Sequence, residues 1–134
     1  YGSGAEDQML GRPEIVTTLA AAARSGRISY NWEPPGDQRR ARVRTAFLLL
    51  QCLESSMPAG GMITVAEFEG GWQITAEADR LIVDTALWDS LTNPRIRVEI
   101  GPAQVHFALL AEDLARTKSR LSLRIEETEI VARF

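Results

Sequence analysis

The strongest constraint on the fold is a long amphipathic segment in the middle of the chain, residues 38–57. Its apolar side chains recur three and four residues apart: Val43, Ala46, Phe47, Leu49, Leu50 and Leu53. This spacing is that of an α-helix with a wide apolar face. Because other elements must cover so wide a face, the segment predicts a central helix, with Asp37 as its N-cap.

Shorter patterns on both sides of this segment predict the remaining elements. Apolar residues at helical spacing predict helices at residues 13–23, at 85–91 after an Asp84 N-cap, and from 102 to about 117. Alternation of apolar and polar residues predicts strands at residues 28–32, 62–68, 72–78, 121–125 and 129–134. Gly70 and Gly71 predict a hairpin turn between the second and third of these strands.

The order of these elements predicts the fold class. Helix-strand-helix-strand-strand-helix-helix-strand-strand is typical of an α+β protein. We expect a two-layer α/β sandwich in which a mixed, mainly antiparallel sheet carries its helices on one face. The length of 134 residues fits one domain, residues 12–134, preceded by a Gly-containing linker at residues 1–11.

The composition narrows the classes of partner and compartment. A net charge of −3 and a pI near 5.2 give no reason to expect nucleic acid or an anionic membrane as a partner. The longest apolar run, residues 46–50, is too short to cross a bilayer. The single cysteine, Cys52, rules out an internal disulfide and fits a reducing, cytoplasmic compartment.

The residues offer little chemistry of their own. With one His and one Cys, far apart in the sequence, no metal-ligand spacing is present, and no Gly-x-Ser-x-Gly or phosphate-binding Gly-x-x-x-x-Gly-Lys motif occurs. His106 stands between Val105 and Phe107, which favours a packed residue over an exposed phosphoacceptor. We therefore expect no catalytic, cofactor-binding or metal-binding residue in this chain.

Two surface features remain as candidates for partner binding, each with two interpretations. The arginines at positions 39, 40, 42 and 44 begin the central helix, where positive charge opposes the helix dipole. Arg40 and Arg44 could dock an acidic partner, or the cluster could be a solvated face paired with Glu33 and Asp37. Leu87 and Trp88 could anchor a partner, or they could seal the edge of the sheet.

The chain resembles the catalytic, ATP-binding domain of histidine kinases. The resemblance rests on "ISYNW", "LLLQCLESSMPAGGMITV", "WQITAEADRL" and "PAQVHFALLAEDLA", in this order and before a closing hairpin. It implies the histidine-kinase ATPase (Bergerat) type of sandwich. That domain holds Mg²⁺ through an Asn on the central helix and adenine through an Asp-x-Gly motif at a strand end. Here the helix has no Asn, and the strand end reads Ala-Glu-Ala-Asp-Arg at residues 76–80. The stretch from Leu81 to Gly101 also leaves no room for a Gly-rich lid.

This combination is similar to the ChpT-like histidine phosphotransferases of bacterial two-component relays, whose second domain no longer binds ATP. The resemblance implies a C-terminal domain that positions a response-regulator receiver. Its acceptor histidine and its homodimer contacts would lie on an N-terminal helical hairpin that this sequence does not include. Two alternatives stay open: a non-catalytic interaction module, and an ATP-binding domain of the histidine-kinase or anti-sigma type.

Overall fold

The computed structural model describes residues 8–23, 26–93 and 101–134. The helices are α1 (Arg12–Ala23), α2 (Arg40–Ser55), α3 (Thr85–Thr92) and α4 (Val105–Thr117), the last entered through a 3-10 turn at Pro102–Gln104. The strands are β1 (Met9–Leu10), β2 (Ile28–Trp32), β3 (Gln38–Arg39), β4 (Gly61–Phe68), β5 (Gly71–Glu77), β6 (Ser122–Ile125) and β7 (Glu129–Arg133). Residues 1–7 of the predicted linker and residues 94–100, the last part of the stretch in which a lid would lie, are outside the described residues.

Five strands form one mixed sheet in the order β2-β4-β5-β7-β6. β2 pairs with β4 in parallel, and the other three pairings are antiparallel. The parallel pair is possible because the long helix α2 connects the two strands and returns the chain to the same end of the sheet. The predicted mixed, mainly antiparallel sheet is confirmed.

One face of the sheet and all four helices enclose a single core. The register aligns two rows of side chains across the sheet, and both rows are buried: Trp32, Val65, Ile74 and Ala132, and beside them Ile63, Ala76 and Ile130. The intervening residues of β4 and β5, such as Thr64 and Thr75, lie on the opposite, more accessible face. The predicted two-layer α+β sandwich is therefore confirmed.

The apolar face of α2 supplies the centre of this core. Seven of its residues are buried: Val43, Thr45, Ala46, Leu49, Leu50, Cys52 and Leu53. Burial of each leucine side chain stabilises the folded state by roughly 2 kcal/mol. The wide apolar face read from the sequence is thus the reason that α2 lies in the core, beside α4.

Local details differ from the sequence predictions. The N-cap of α2 is Arg39, which makes no side-chain capping hydrogen bond, and Asp37 precedes the two-residue strand β3 instead. Part of the predicted linker is also structured, because Met9–Leu10 pairs with Gln38–Arg39. Both differences come from one short strand pair, whose members lie almost thirty residues apart in sequence and carry no local strand pattern.

The hairpin between β4 and β5 is confirmed, with its turn one residue earlier than predicted. Phe68 pairs with Gly71, so the two turn residues are Glu69 and Gly70. Both have positive φ, +47° and +81°, as a tight turn matched to the strand twist requires. No helix in the described part of the chain combines the length and the apolar character needed to cross a bilayer.

Candidate functional site

Helix α3 follows β5 and packs against α4 and against the residue that follows α2. Trp88 of α3 is 0% exposed. Its indole N–H donates to the hydroxyl of buried Ser56, just after α2, at 3.1 Å. Its ring meets that of Phe107 on α4 edge-on, with 5.2 Å between the ring centroids. An indole that is fully enclosed, hydrogen-bonded and in edge-to-face contact with a second ring occupies the space between these elements as a core side chain.

Asp84 places this tryptophan. Its carboxylate accepts a hydrogen bond from the backbone N–H of Leu87, which caps α3 as the sequence predicted. The short helix then buries Leu87, Trp88 and Leu91 against the core. Both side chains are enclosed within the domain, which favours the interpretation that Leu87 and Trp88 seal the fold over the interpretation that they anchor a partner.

The segment after β5 is fastened to its neighbours by backbone contacts. The N–H of Ala78 donates to the backbone carbonyl oxygen of Thr128 at 3.0 Å, and the N–H of Ile82 donates to that of Ser56 at 2.9 Å. At the start of β4, a Cβ on Gly61 would lie 2.2 Å from the carbonyl oxygen of Glu77. Gly61 therefore allows the start of β4 to approach the end of β5 closely.

The candidate docking residues Arg40 and Arg44 are both exposed on the first turns of α2. The Arg40 guanidinium donates to the side-chain amide oxygen of Gln8 at 3.0 Å. Arg44 approaches the carboxylate of Asp113 on α4 at 3.6 Å, rather than the predicted partners Glu33 or Asp37. Both arginines therefore remain candidates for contact with a partner.

Asp113 is the residue that the sequence analysis missed. Its side chain is 1% exposed, although it carries a carboxylate. It accepts a hydrogen bond from the hydroxyl of Thr45 on α2, and Arg116 approaches it at 2.7 Å. The signal available in the sequence was Asp113 and Arg116 three residues apart on α4, with Thr45 on the apolar face of α2.

Three further titratable side chains lie near the core. Burial lowers the pKa of His106, whose Nε2 atom has no hydrogen-bond partner among the described residues, and its ring lies beside Phe107 at 5.1 Å. Burial also raises the pKa of the Cys52 thiol well above its usual range, which keeps it protonated. Glu54 accepts a hydrogen bond from the Tyr30 hydroxyl, and burial raises its pKa. Within the described ranges, no three His, Cys, Asp or Glu side chains are grouped to hold a metal ion.

Solved structures similar to this chain share its fold at low sequence identity. A bacterial phosphotransferase superposes with a TM-score of 0.79 at 16% identity, over 97% of this chain and 66% of its own length. The histidine kinase AdeS of Acinetobacter baumannii gives a TM-score of 0.60 at 11% identity, over 94% of this chain and 64% of its own. The catalytic domain of the histidine kinase ThkA gives a TM-score of 0.60 at 8% identity, over 95% of this chain and 92% of its own length.

These likenesses establish the histidine-kinase ATPase type of fold. The chain spans a little under two-thirds of the length of the first two proteins. No curated protein matches it in sequence. Residues 12–129, most of the chain, match the family of histidine phosphotransferase C-terminal domains. From the match and the fold together, we conclude that this chain belongs to the histidine phosphotransferase C-terminal domain family.

Proposed function

We propose that the chain is the C-terminal domain of a phosphotransferase in a bacterial two-component phosphorelay, where it positions a response-regulator receiver without binding ATP. The observation that carries this proposal is the family match over residues 12–129. In the family that the sequence resembles, the acceptor histidine stands on a helical hairpin that precedes this domain and forms the homodimer. The chain would then contribute surface complementarity and no reacting group.

Phosphoryl transfer between an aspartate and a histidine suits this division of labour. The P–O bond to the receiver's aspartate breaks as a P–N bond to the imidazole forms, and the reverse holds in the opposite direction. Such transfer depends mostly on in-line placement of the two residues and little on further acid or base groups. A second domain that fixes the receiver's orientation would supply that placement.

The absence of nucleotide binding is supported by residues from three elements. Helix α2 has no Asn to ligate Mg²⁺, and residues 76–80 have no Asp-x-Gly motif to accept from adenine. A charge-assisted hydrogen bond of that kind contributes about 1.5–3 kcal/mol. Trp88 also fills the space between α2, α3 and α4. We expect any affinity for Mg·ATP to be weaker than about 1 mM.

Titration calorimetry of the chain with Mg·ATP tests the second half of the proposal. We expect no heat of binding, and no rise in melting temperature under excess nucleotide. Saturable binding below the millimolar range would favour the alternative of an ATP-binding domain of the histidine-kinase or anti-sigma type.

Phosphotransfer by the natural full-length protein tests the first half. Receiver domains from the same organism would be phosphorylated with phosphoramidate, mixed with that protein, and followed by Phos-tag electrophoresis. We expect the phosphoryl group to move from at least one receiver to a histidine of the full-length protein. Transfer from none of them would favour the alternative of a non-catalytic interaction module.

A further inference from the structure

Two arginines from different helices converge on one buried carboxylate at the surface of the domain. Arg44 of α2 and Arg116 of α4 lie 3.6 and 2.7 Å from the same oxygen of Asp113. Their side chains are 64% and 38% exposed, whereas that of Asp113 is 1% exposed. The carboxylate therefore lies below the surface, and the two positive side chains lie above it.

Asp113 orients the two arginines more than it neutralises them. A buried carboxylate is stable only when charges and hydrogen bonds replace its lost water. Here Thr45 donates to one of its oxygens and the arginines approach the other. One carboxylate thus fixes two guanidinium groups, and the side chain of Arg44 remains 64% exposed. Arg40, one turn before Arg44 on α2, adds a further positive charge about 6 Å along the helix.

The position of these charges is unfavourable for the stability of α2. The helix begins with Arg40 and has no acidic residue in its first turn and no side-chain N-cap. Each exposed cation at a helix N-terminus costs a few tenths of a kcal/mol against the helix dipole. Features that break a local stability rule are expected at functional sites.

The charges are also separated along the domain. Without Arg40, Arg44 and Arg116, the net charge of −3 would become −6, so these three positive charges stand on a chain that is otherwise strongly negative. A cleft of about 550 Å³ near the start of β4 and the end of β5 is lined by Glu77, Asp79 and Glu129. This cleft lies at one end of the β4–β5 hairpin. The start of α2 lies at the other end, where the Arg42 guanidinium donates to the carbonyl oxygen of Gly70. An acidic partner is attracted to the end of the domain that carries the three arginines.

We propose that Arg40, Arg44 and Arg116 form a docking surface for an acidic face of the receiver, one that presents at least two carboxylates, and that Asp113 holds two of the three arginines in place. This inference rests on the proposed function and identifies the surface through which the domain would act. Arg44 and Arg116 would contact the partner directly, with guanidinium groups suited to paired contacts with carboxylates. Asp113 is a positioning residue.

Charge reversal in the full-length protein tests the surface. Arg40→Glu and Arg44→Glu are suitable because both side chains are exposed. Arg80→Glu is the matched control, since Arg80 is exposed just beyond the end of β5, at the opposite end of the hairpin from the start of α2. The readout is the rate of phosphotransfer from a phosphoramidate-treated receiver at increasing receiver concentration and at two salt concentrations. Circular dichroism would confirm that each variant is folded.

We expect each reversal on α2 to raise the KM for the receiver about tenfold or more, with a smaller change in the maximal rate, because charges at an interface act mainly on encounter and affinity. The control should leave KM unchanged. High salt should raise the KM of the native protein and narrow its difference from the variants. If the native protein transfers phosphate and both reversals match the control, the docking surface is refuted while the proposed function stands. If the native protein transfers none, the proposed function itself fails.

Discussion

Replacement of Trp88 should show whether it is part of the core, as its complete burial indicates. Trp88→Phe keeps an aromatic ring near Phe107 but removes the N–H that donates to Ser56. Loss of the hydrogen bond leaves a buried hydroxyl without this donor, at a cost of about 1–3 kcal/mol. The smaller ring also leaves a cavity, so we expect a total loss of about 2–3 kcal/mol. Trp88→Ala should cost about 3–5 kcal/mol, a large part of the roughly 5–15 kcal/mol that stabilises a domain.

Urea unfolding of each variant, followed by far-ultraviolet circular dichroism, measures these losses. In thermal unfolding of Trp88→Phe, followed by the same signal, we expect the melting temperature to fall by about 10 °C. Ala86→Ser is the matched control, because Ala86 is exposed on the same helix, and its stability should change by less than about 0.5 kcal/mol. If Trp88→Ala cost less than about 1 kcal/mol, the side chain would not be a core residue. The hypothesis that it anchors a partner would then return.

Three further predictions follow from single residues. Gly60 and Gly36 both have positive φ, but a Cβ would lie 2.2 Å from the Arg27 carbonyl oxygen at Gly60 and would meet nothing within 4 Å at Gly36. Gly36→Ala should therefore cost about 1–2 kcal/mol and Gly60→Ala about 2–5 kcal/mol, measured by urea unfolding; equal losses would contradict the close contact. Burial lowers the pKa of His106 below 6.5, so the folded state binds this proton less readily than the unfolded state. The free energy of unfolding should therefore fall as the pH drops through 6.5 towards the pKa of the folded state. His106→Gln should reduce that fall. An NMR titration in which the folded imidazole has a pKa at or above 6.5 would refute the shift. Cys52 is buried with a raised pKa, so it should react with Ellman's reagent only after urea unfolds the domain; prompt reaction in the native state would contradict its burial.

Much of the architecture could be predicted because the helices and strands follow from the local periodicity of apolar residues. The wide apolar face of α2 requires a central position, and alternation defines β4 and β5 within one residue of their observed starts. Asp84 and the hairpin glycine mark the start of α3 and the turn after β4, because caps and tight turns depend on single residue types. The absence of an Asn from α2 and of an Asp-x-Gly motif could also be found without the structure, since a motif is a property of the sequence alone.

Contacts between distant elements were decided by the tertiary structure. No local pattern indicates that β2 pairs in parallel with β4, or that β7 lies between β5 and β6, because pairing depends on which faces share the core. The burial of Trp88 follows from the approach of α3 to α4, and the same indole on a free helix would be exposed. Asp113 meets Arg44 only because α2 and α4 pack side by side across 69 positions of sequence. Periodicity determines which face of each element is apolar, whereas the joint burial of those faces determines which side chains meet.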